Sequence, residues 1–343
     1  MSGVFLSGSE PRAVIFGVAG AALSAEERDF FRATAPFGFI LFQRNCAAPD
    51  QVRQLVAALR EAVGRADAPV LIDQEGGRVA RLTAPHWRSY PAAATLAALG
   101  DARAAAAVEL GARLIADDLL ALGITVDCLP VLDVPAAGAD PVIGDRAYGS
   151  DPAVVATLGR AACAGLLAGA VLPVVKHIPG HGRGAVDSHL ALPVVSAPLG
   201  ELEAVDFAPF RALRDMPWAM TAHIVYQAID PARPATQSPR LISEIIRGAI
   251  GFDGLLLSDD LSMAALPGGL GERAAAALAA GCDIVLHCNG RMAEMRTVAE
   301  AAGALSPAAM RRAAAGEGMR GTPQPFDRAA AERRFAALLA GEA

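Results

Sequence analysis

No Lys/Arg-rich run occurs in this chain, and its 30 basic residues stand against 36 acidic ones, a net charge of −6. With a pI near 5.6, it offers neither nucleic acid nor an anionic membrane surface a patch to hold. Long apolar runs are missing too. The longest, 161–175, contains Pro173 and falls short of the ~18 residues a membrane-spanning helix requires. The first twelve residues carry no basic segment and no apolar core of useful length, so no secretion signal is expected. Cysteine is scarce, with five residues, and an odd number in a long chain does not suggest a disulfide framework. These absences together give a cytoplasmic protein as the expectation. No GxGxxG turn follows the first apolar run, which weakens a dinucleotide-binding reading. No linker, low-complexity block or short repeat divides the chain.

What is present is a sizeable apolar fraction, 53% against 19% charged, enough for a large core. Eight short apolar runs recur at 13–18, 37–42, 69–73, 124–129, 171–177, 218–224, 254–259 and 283–288. Helically spaced Ala/Leu/Arg segments alternate with them, at 24–35, 49–65, 102–121, 151–169, 203–214, 240–250, 270–280 and 291–303. Continuous apolar runs mark strands buried on both faces, and alternation with helices implies parallel crossovers. Eight such units predict one α/β domain over 1–343, a closed (β/α)₈ barrel, with residues 305–343 as terminal helices packed outside it.

In such a barrel, working residues lie at the C-terminal ends of the strands, and polar residues cluster there. Run three ends in Asp73-Gln74-Glu75-Gly76-Gly77-Arg78 and reaches Arg81; run five ends in Lys176-His177. A glycine-rich loop follows, with Gly180, His181, Gly182 and Gly184, and leads to Asp187-Ser188-His189. Run seven ends in Ser258-Asp259-Asp260, and Gly144-Asp145-Arg146 precedes run five. Either aspartate of the pair could cap a helix. One at the mouth could attack an anomeric carbon. Asp187 and His189, two apart in an extended loop, face one side. The carboxylate can then fix the imidazole tautomer and leave the other nitrogen for proton transfer; a structural Asp–His bond is the plain alternative. Asp73 could accept from sugar hydroxyls or pair with Arg78 or Arg81, and Arg146 could pair with Asp145 or Asp151. Lys176 must reach the cavity or snorkel out. His223, His287, Asp127 and Asp133 could support the site from behind or be structural, and none is assigned a role. A metal site from His177, His181, Asp187 and His189 is the rival reading, but Pro179-Gly180 prevents the helix that a His pair four apart would need.

The stretches DQEGGRVARL (73–82), GITVDCLPVLDV (123–134), VIGDRAYGSDP (142–152), VVKHIPGHGRGAVDSHLALP (174–193), MTAHIVY (220–226), GFDGLLLSDDLSM (251–263) and AGCDIVLHCN (280–289) resemble the single-barrel bacterial β-N-acetylglucosaminidases of glycoside hydrolase family 3. The resemblance implies Asp259 as nucleophile, His189 as acid/base and Asp187 as its partner. It places Asp73, Arg81, Arg146, Lys176 and His177 on sugar-binding positions. It implies no cofactor and no metal, and a carbohydrate substrate: N-acetylglucosamine joined β-1,4 to anhydro-N-acetylmuramic acid, with or without peptide, from peptidoglycan recycling. A monomer is expected. The chain departs from the family at Arg183-Gly184-Ala185-Val186, where an acidic or Thr residue is common, and at Cys128, where an aromatic is usual.

Two other classes stay open. A histidine acid/base is neutral where a carboxylate would repel phosphate, so a glycoside phosphorylase is possible on the same residues. A catalytically dead carbohydrate-binding barrel would not require Asp259, His189 and Asp187 together.

Overall fold

The computed structural model describes residues 10–188 and 190–342. Eight parallel strands close into one barrel: β1 (Arg12–Gly17), β2 (Pro36–Leu41), β3 (Val70–Ile72), β4 (Val126–Asp127), β5 (Leu172–Ile178), β6 (Trp218–Thr221), β7 (Leu255–Asp260) and β8 (Ile284–His287). Neighbours in sequence are neighbours in space, and β8 returns to β1 with Val14 opposite Val285. All eight coincide with apolar runs. The reason is burial on both faces: alternate side chains point to opposite sides of a strand.

One set fills the barrel interior, including Ile15, Leu71, Val126, Val174, Trp218, Leu257 and Leu286. The other set, including Phe16, Ile72, Val175 and Leu256, packs outward against the helices. Full burial of each such side chain contributes about 1.5–3 kcal/mol, so the alternation fixes which residues can face the barrel mouth.

The helix Pro307–Arg320 closes the bottom. Its Ala309 and Ala313, with Leu305, join the interior cluster beneath Trp218 and Ile284. Gly316 is needed there, because a Cβ would stand 2.7 Å from Trp218 Nε1. The last helix, Arg328–Ala340, lies on Asp101–Leu120: Phe335 and Leu338 are buried, and Arg328 pairs with Asp117 at 2.8 Å and Asp118 at 2.7 Å.

Three local features differ from the periodicity reading. The segment 203–214 is two short helices, Leu199–Ala204 and Ala208–Ala212, because Pro209 has no N–H to continue a helix but suits a first turn. Leu241–Ala249 winds as a π-helix, closed by the Ile250 N–H on Ile245 O at 2.8 Å; nothing in its apolar spacing announces this. A two-stranded sheet of Val194–Val195 and Val225–Tyr226, beside the mouth, is too short to register as a periodicity. Among the described residues, no helix is long and apolar enough to cross a membrane.

Candidate active site

Strand parity carries three polar side chains to the mouth. Leu71, Val174 and Leu257 point into the barrel, so Asp73, Lys176 and Asp259, each two residues further on, continue the inward rows above the apolar layers.

Lys176 is 2% exposed and does not snorkel out. Its Nζ donates to Asp73 Oδ1 at 2.9 Å and lies 2.7 Å from Glu75 Oε1. Arg81 Nη2 reaches Asp73 Oδ2 at 3.1 Å. Arg146 clamps Glu75 through Nε and Nη2 at 2.9 and 2.8 Å, the two-pronged geometry that only arginine offers a carboxylate. Arg146 therefore pairs with neither Asp145 nor Asp151; Asp145 takes Arg78 instead. Four of the expected sugar-binding residues thus share one network, in which Glu75, a residue without an expected role, joins Arg146 to Lys176. Burial alone would raise the carboxyl of Glu75, but Lys176 and Arg146 outweigh it and hold it down at about 2. Asp73 is likewise driven well below the usual range, against burial, by Lys176 and Arg81. Three cations against two carboxylates leave this network with an excess of one positive charge.

Asp133, another residue without an expected role, organises the end of β5. Its Oδ2 accepts from His177 Nδ1 at 2.7 Å, and its Oδ1 from the N–H groups of His177 at 3.2 Å and His181 at 2.6 Å. Burial raises its carboxyl, yet His177 and these bonds bring it to about 2. An ionised Asp133 can only accept, so His177 Nδ1 carries a proton and donates it. The peptide between Lys176 and His177 is cis.

The aspartate pair divides its labour. Asp260 is consumed locally: it accepts from Ser262 Oγ at 2.5 Å, Ser262 N–H at 3.1 Å and Cys288 N–H at 3.2 Å. It caps a turn, since the next helix starts only at Leu270. Asp259 Oδ1 accepts the Asp260 N–H at 2.8 Å. Burial would raise the Asp259 carboxyl, but His223, His177, the Asp260 N–H and Lys176 together lower it. His223 is itself kept neutral by burial. Its Nε2–H donates to the Asp260 carbonyl at 3.0 Å, which leaves Nδ1 to accept from the Thr236 hydroxyl at 2.7 Å. It therefore acts on Asp259 as a dipole. An ionised, half-buried carboxylate beside a cationic polar network is suited to nucleophilic attack on an electrophilic carbon.

The loop after β5 is bound to the barrel on one side, where Ala136 N–H meets Gly182 O at 2.9 Å and Asp140 N–H meets Gly184 O at 2.8 Å. Arg183, the departure from the family pattern, ties it on the other through Asp206 at 2.7 Å and Glu201 at 2.8 Å. Asp187 is half-buried, and its carbonyl accepts from Leu190 and Ala191 N–H at 2.9 and 3.0 Å. His189 lies outside the described residues. Cys128 is buried within the barrel interior. Among the described residues, no group of three or more His, Cys, Asp and Glu could hold a metal ion.

The model of the glycosyl hydrolase family 3 N-terminal domain matches residues 16–315. The chain belongs to glycosyl hydrolase family 3. Among similar proteins, a β-hexosaminidase of Alkalilimnicola ehrlichii is 44% identical over 283 residues, 80% of either chain. One of Methylococcus capsulatus is 44% identical over 279 residues, 80% of this chain and 82% of its own. The crystal structure of NagZ from Neisseria gonorrhoeae in complex with N-trifluoroacetyl-D-glucosamine superposes with a TM-score of 0.82 at 33% identity, covering 96% of this chain and 97% of that one. As a family 3 member with these relatives, the chain is a glycoside hydrolase.

Proposed function

We propose that this family 3 β-N-acetylhexosaminidase is a retaining exo-glycosidase that releases terminal β-1,4-linked N-acetylglucosamine, with Asp259 as nucleophile and His189, oriented by Asp187, as acid/base. The observation that carries the reading is the contrast at the end of β7: Asp260 is saturated by Ser262 and Cys288, while Asp259 continues the inward row and is lowered in pKa. Asp73, Arg81, Arg146, Lys176 and His177 are the sugar-binding groups. Their hydrogen-bond donors and acceptors match hydroxyls, and their pairing with one another, with Glu75 and with Asp133 pre-organises them before sugar arrives. Attack by Asp259 on the anomeric carbon breaks the glycosidic bond while the imidazole gives its proton to the leaving oxygen. Water, deprotonated by the same imidazole, then displaces the carboxylate, and two inversions return the β configuration.

The physiological substrate we assign is N-acetylglucosamine linked to anhydro-N-acetylmuramic acid, with or without peptide, in peptidoglycan recycling. A cytoplasmic monomer is consistent with five cysteines that are all unpaired.

The test is a pair of chromogenic substrates, a β-N-acetylglucosaminide and the matched β-glucoside, with and without phosphate. Preference for the N-acetyl sugar, and β product seen by proton NMR before mutarotation, is the expected result. An initial α product would remove Asp259 as nucleophile, and sugar-1-phosphate would make the enzyme a phosphorylase.

A further inference from the structure

His181 has no place in the sugar-binding network, yet it is 4% exposed and fixed at both ends. Its backbone N–H is held by Asp133 at 2.6 Å, the same carboxylate that orients His177. Its imidazole Nε2 is bonded to Ser188 Oγ at 3.1 Å. Ser188, 3% exposed, separates Asp187 from His189 in the chain. Its carbonyl also accepts the Ala265 N–H at 3.2 Å, from the turn that follows Asp259 and Asp260. Ser188 thus ties the segment carrying the dyad both to the rigid end of β5 and to the loop beyond the nucleophile strand.

The other ring nitrogen, Nδ1, is buried and has no hydrogen-bond partner among the described residues. Burial lowers the pKa of His181, so the ring is neutral, and one of its nitrogens remains unsatisfied in either tautomer. The single Nε2–Oγ bond is therefore opposed by the cost of the unpaired Nδ1, which water would satisfy if the segment lifted. A bond of this balance holds a segment in register without locking it.

We propose that His181 and Ser188 form a latch that seats the dyad segment, making them positioning residues for proton transfer to the leaving group. The inference rests on the reading of His189 as acid/base. A mis-seated proton donor matters most when the leaving group is poor and little when it departs as a stable anion.

The test compares cleavage of an N-acetylglucosamine disaccharide with that of a 2,4-dinitrophenyl β-N-acetylglucosaminide, for Ser188→Ala, Ser188→Thr, His181→Phe, the double variant Ser188→Ala/His181→Phe, and His189→Ala as reference. Ser188→Ala should lower kcat/KM on the disaccharide by about 10- to 100-fold, the scale of an ångström of misplacement. It should change the dinitrophenyl substrate by less than about threefold. Ser188→Thr, which keeps the hydroxyl, should recover most of the loss. The double variant should be no worse than the single ones, since both remove one bond. If His181→Phe does not fold, the Ser188 pair decides alone. An equal loss on both substrates, or none on either, while His189→Ala remains selective for the disaccharide, overturns the latch and leaves the acid/base reading standing. If His189→Ala itself shows no selectivity, the acid/base reading fails and the latch falls with it.

Discussion

Lys176 Nζ stands 2.7 Å from Glu75 Oε1, with side chains 2% and 5% exposed, so the ammonium at the end of β5 is shared between Glu75 and Asp73. Removing one partner of a buried pair strands the other, a loss on the order of 3 kcal/mol. Glu75→Gln keeps the shape but leaves Lys176 to Asp73 alone and takes the clamp from Arg146. We expect a clearly lower unfolding temperature together with a raised KM, since Lys176 and Arg146 lose their shared anchor. Unchanged thermal unfolding in Glu75→Gln would show that the network does not depend on this carboxylate.

The two aspartates of β7 should separate stability from turnover. In Asp260→Ala, the Ser262 and Cys288 N–H groups lose their acceptor, at about 1–3 kcal/mol, while turnover is reduced but measurable. In Asp259→Ala, turnover disappears and stability changes little, because the carboxylate stands at the mouth and not in the apolar core. Urea unfolding and single-turnover assays on the two variants check the division; a stable, inactive Asp260→Ala would exchange the roles.

The pH dependence of stability has two opposed parts. Glu75, held at about 2, lies below its usual value of 4.5, so the unfolded chain binds its proton first as pH falls. Its contribution is present above 4.5 and is lost between there and about 2. Asp133, at about 2, behaves alike. Asp206 runs the other way: burial, only partly offset by Arg183, pushes it up to about 6. Its contribution is fully present below 3.8 and is lost as pH rises through about 6. Urea midpoints measured from pH 3 to 8 should therefore show Glu75→Gln flattening the acid side. Asp206→Asn should gain on the wild type as pH rises through 6. A constant difference between Asp206→Asn and wild type across that range would refute the second assignment.

How much of this was legible in the sequence follows from where each side chain's neighbours lie. Strands buried on both faces write their positions as apolar runs, and all eight were readable. Asp73, Lys176 and Asp259 were readable because parity along a strand is local. Lys176 carries a compositional signal as well: it is the only lysine in a chain that otherwise uses arginine for its basic residues. Glu75, Asp133 and Asp206 were not readable as site residues. Each owes its role to a partner 23 to 101 residues away, for Glu75 at Lys176, for Asp133 at His177 and for Asp206 at Arg183, and no spacing rule reports such a meeting. Arg183 could be seen as a departure, but its tie to Asp206 and Glu201 only emerges once the 199–206 segment folds against the loop.

The loop glycines give the last prediction, because two of them close to each other should fail differently. A Cβ on Gly182 would stand 1.9 Å from the Val134 carbonyl oxygen. Both partners there are backbone, bound by the Ala136–Gly182 hydrogen bond, so Gly182→Ala forces the loop off the barrel. Overpacking of this kind costs about 1–3 kcal/mol, and activity on every substrate should fall together with stability. A Cβ on Gly184 would meet His181 at 3.1 Å from Cε1 and 3.2 Å from Nδ1. An imidazole can tilt where a carbonyl cannot, so Gly184→Ala should fold with near-normal stability and move His181 away from Ser188. Its kinetic signature should then match that of Ser188→Ala: a loss on the disaccharide and little change with the dinitrophenyl leaving group. Thermal unfolding of both glycine variants, with rates on both substrates, distinguishes the cases. If Gly184→Ala cleaves the disaccharide at the wild-type rate, the position of the His181 ring does not govern proton transfer.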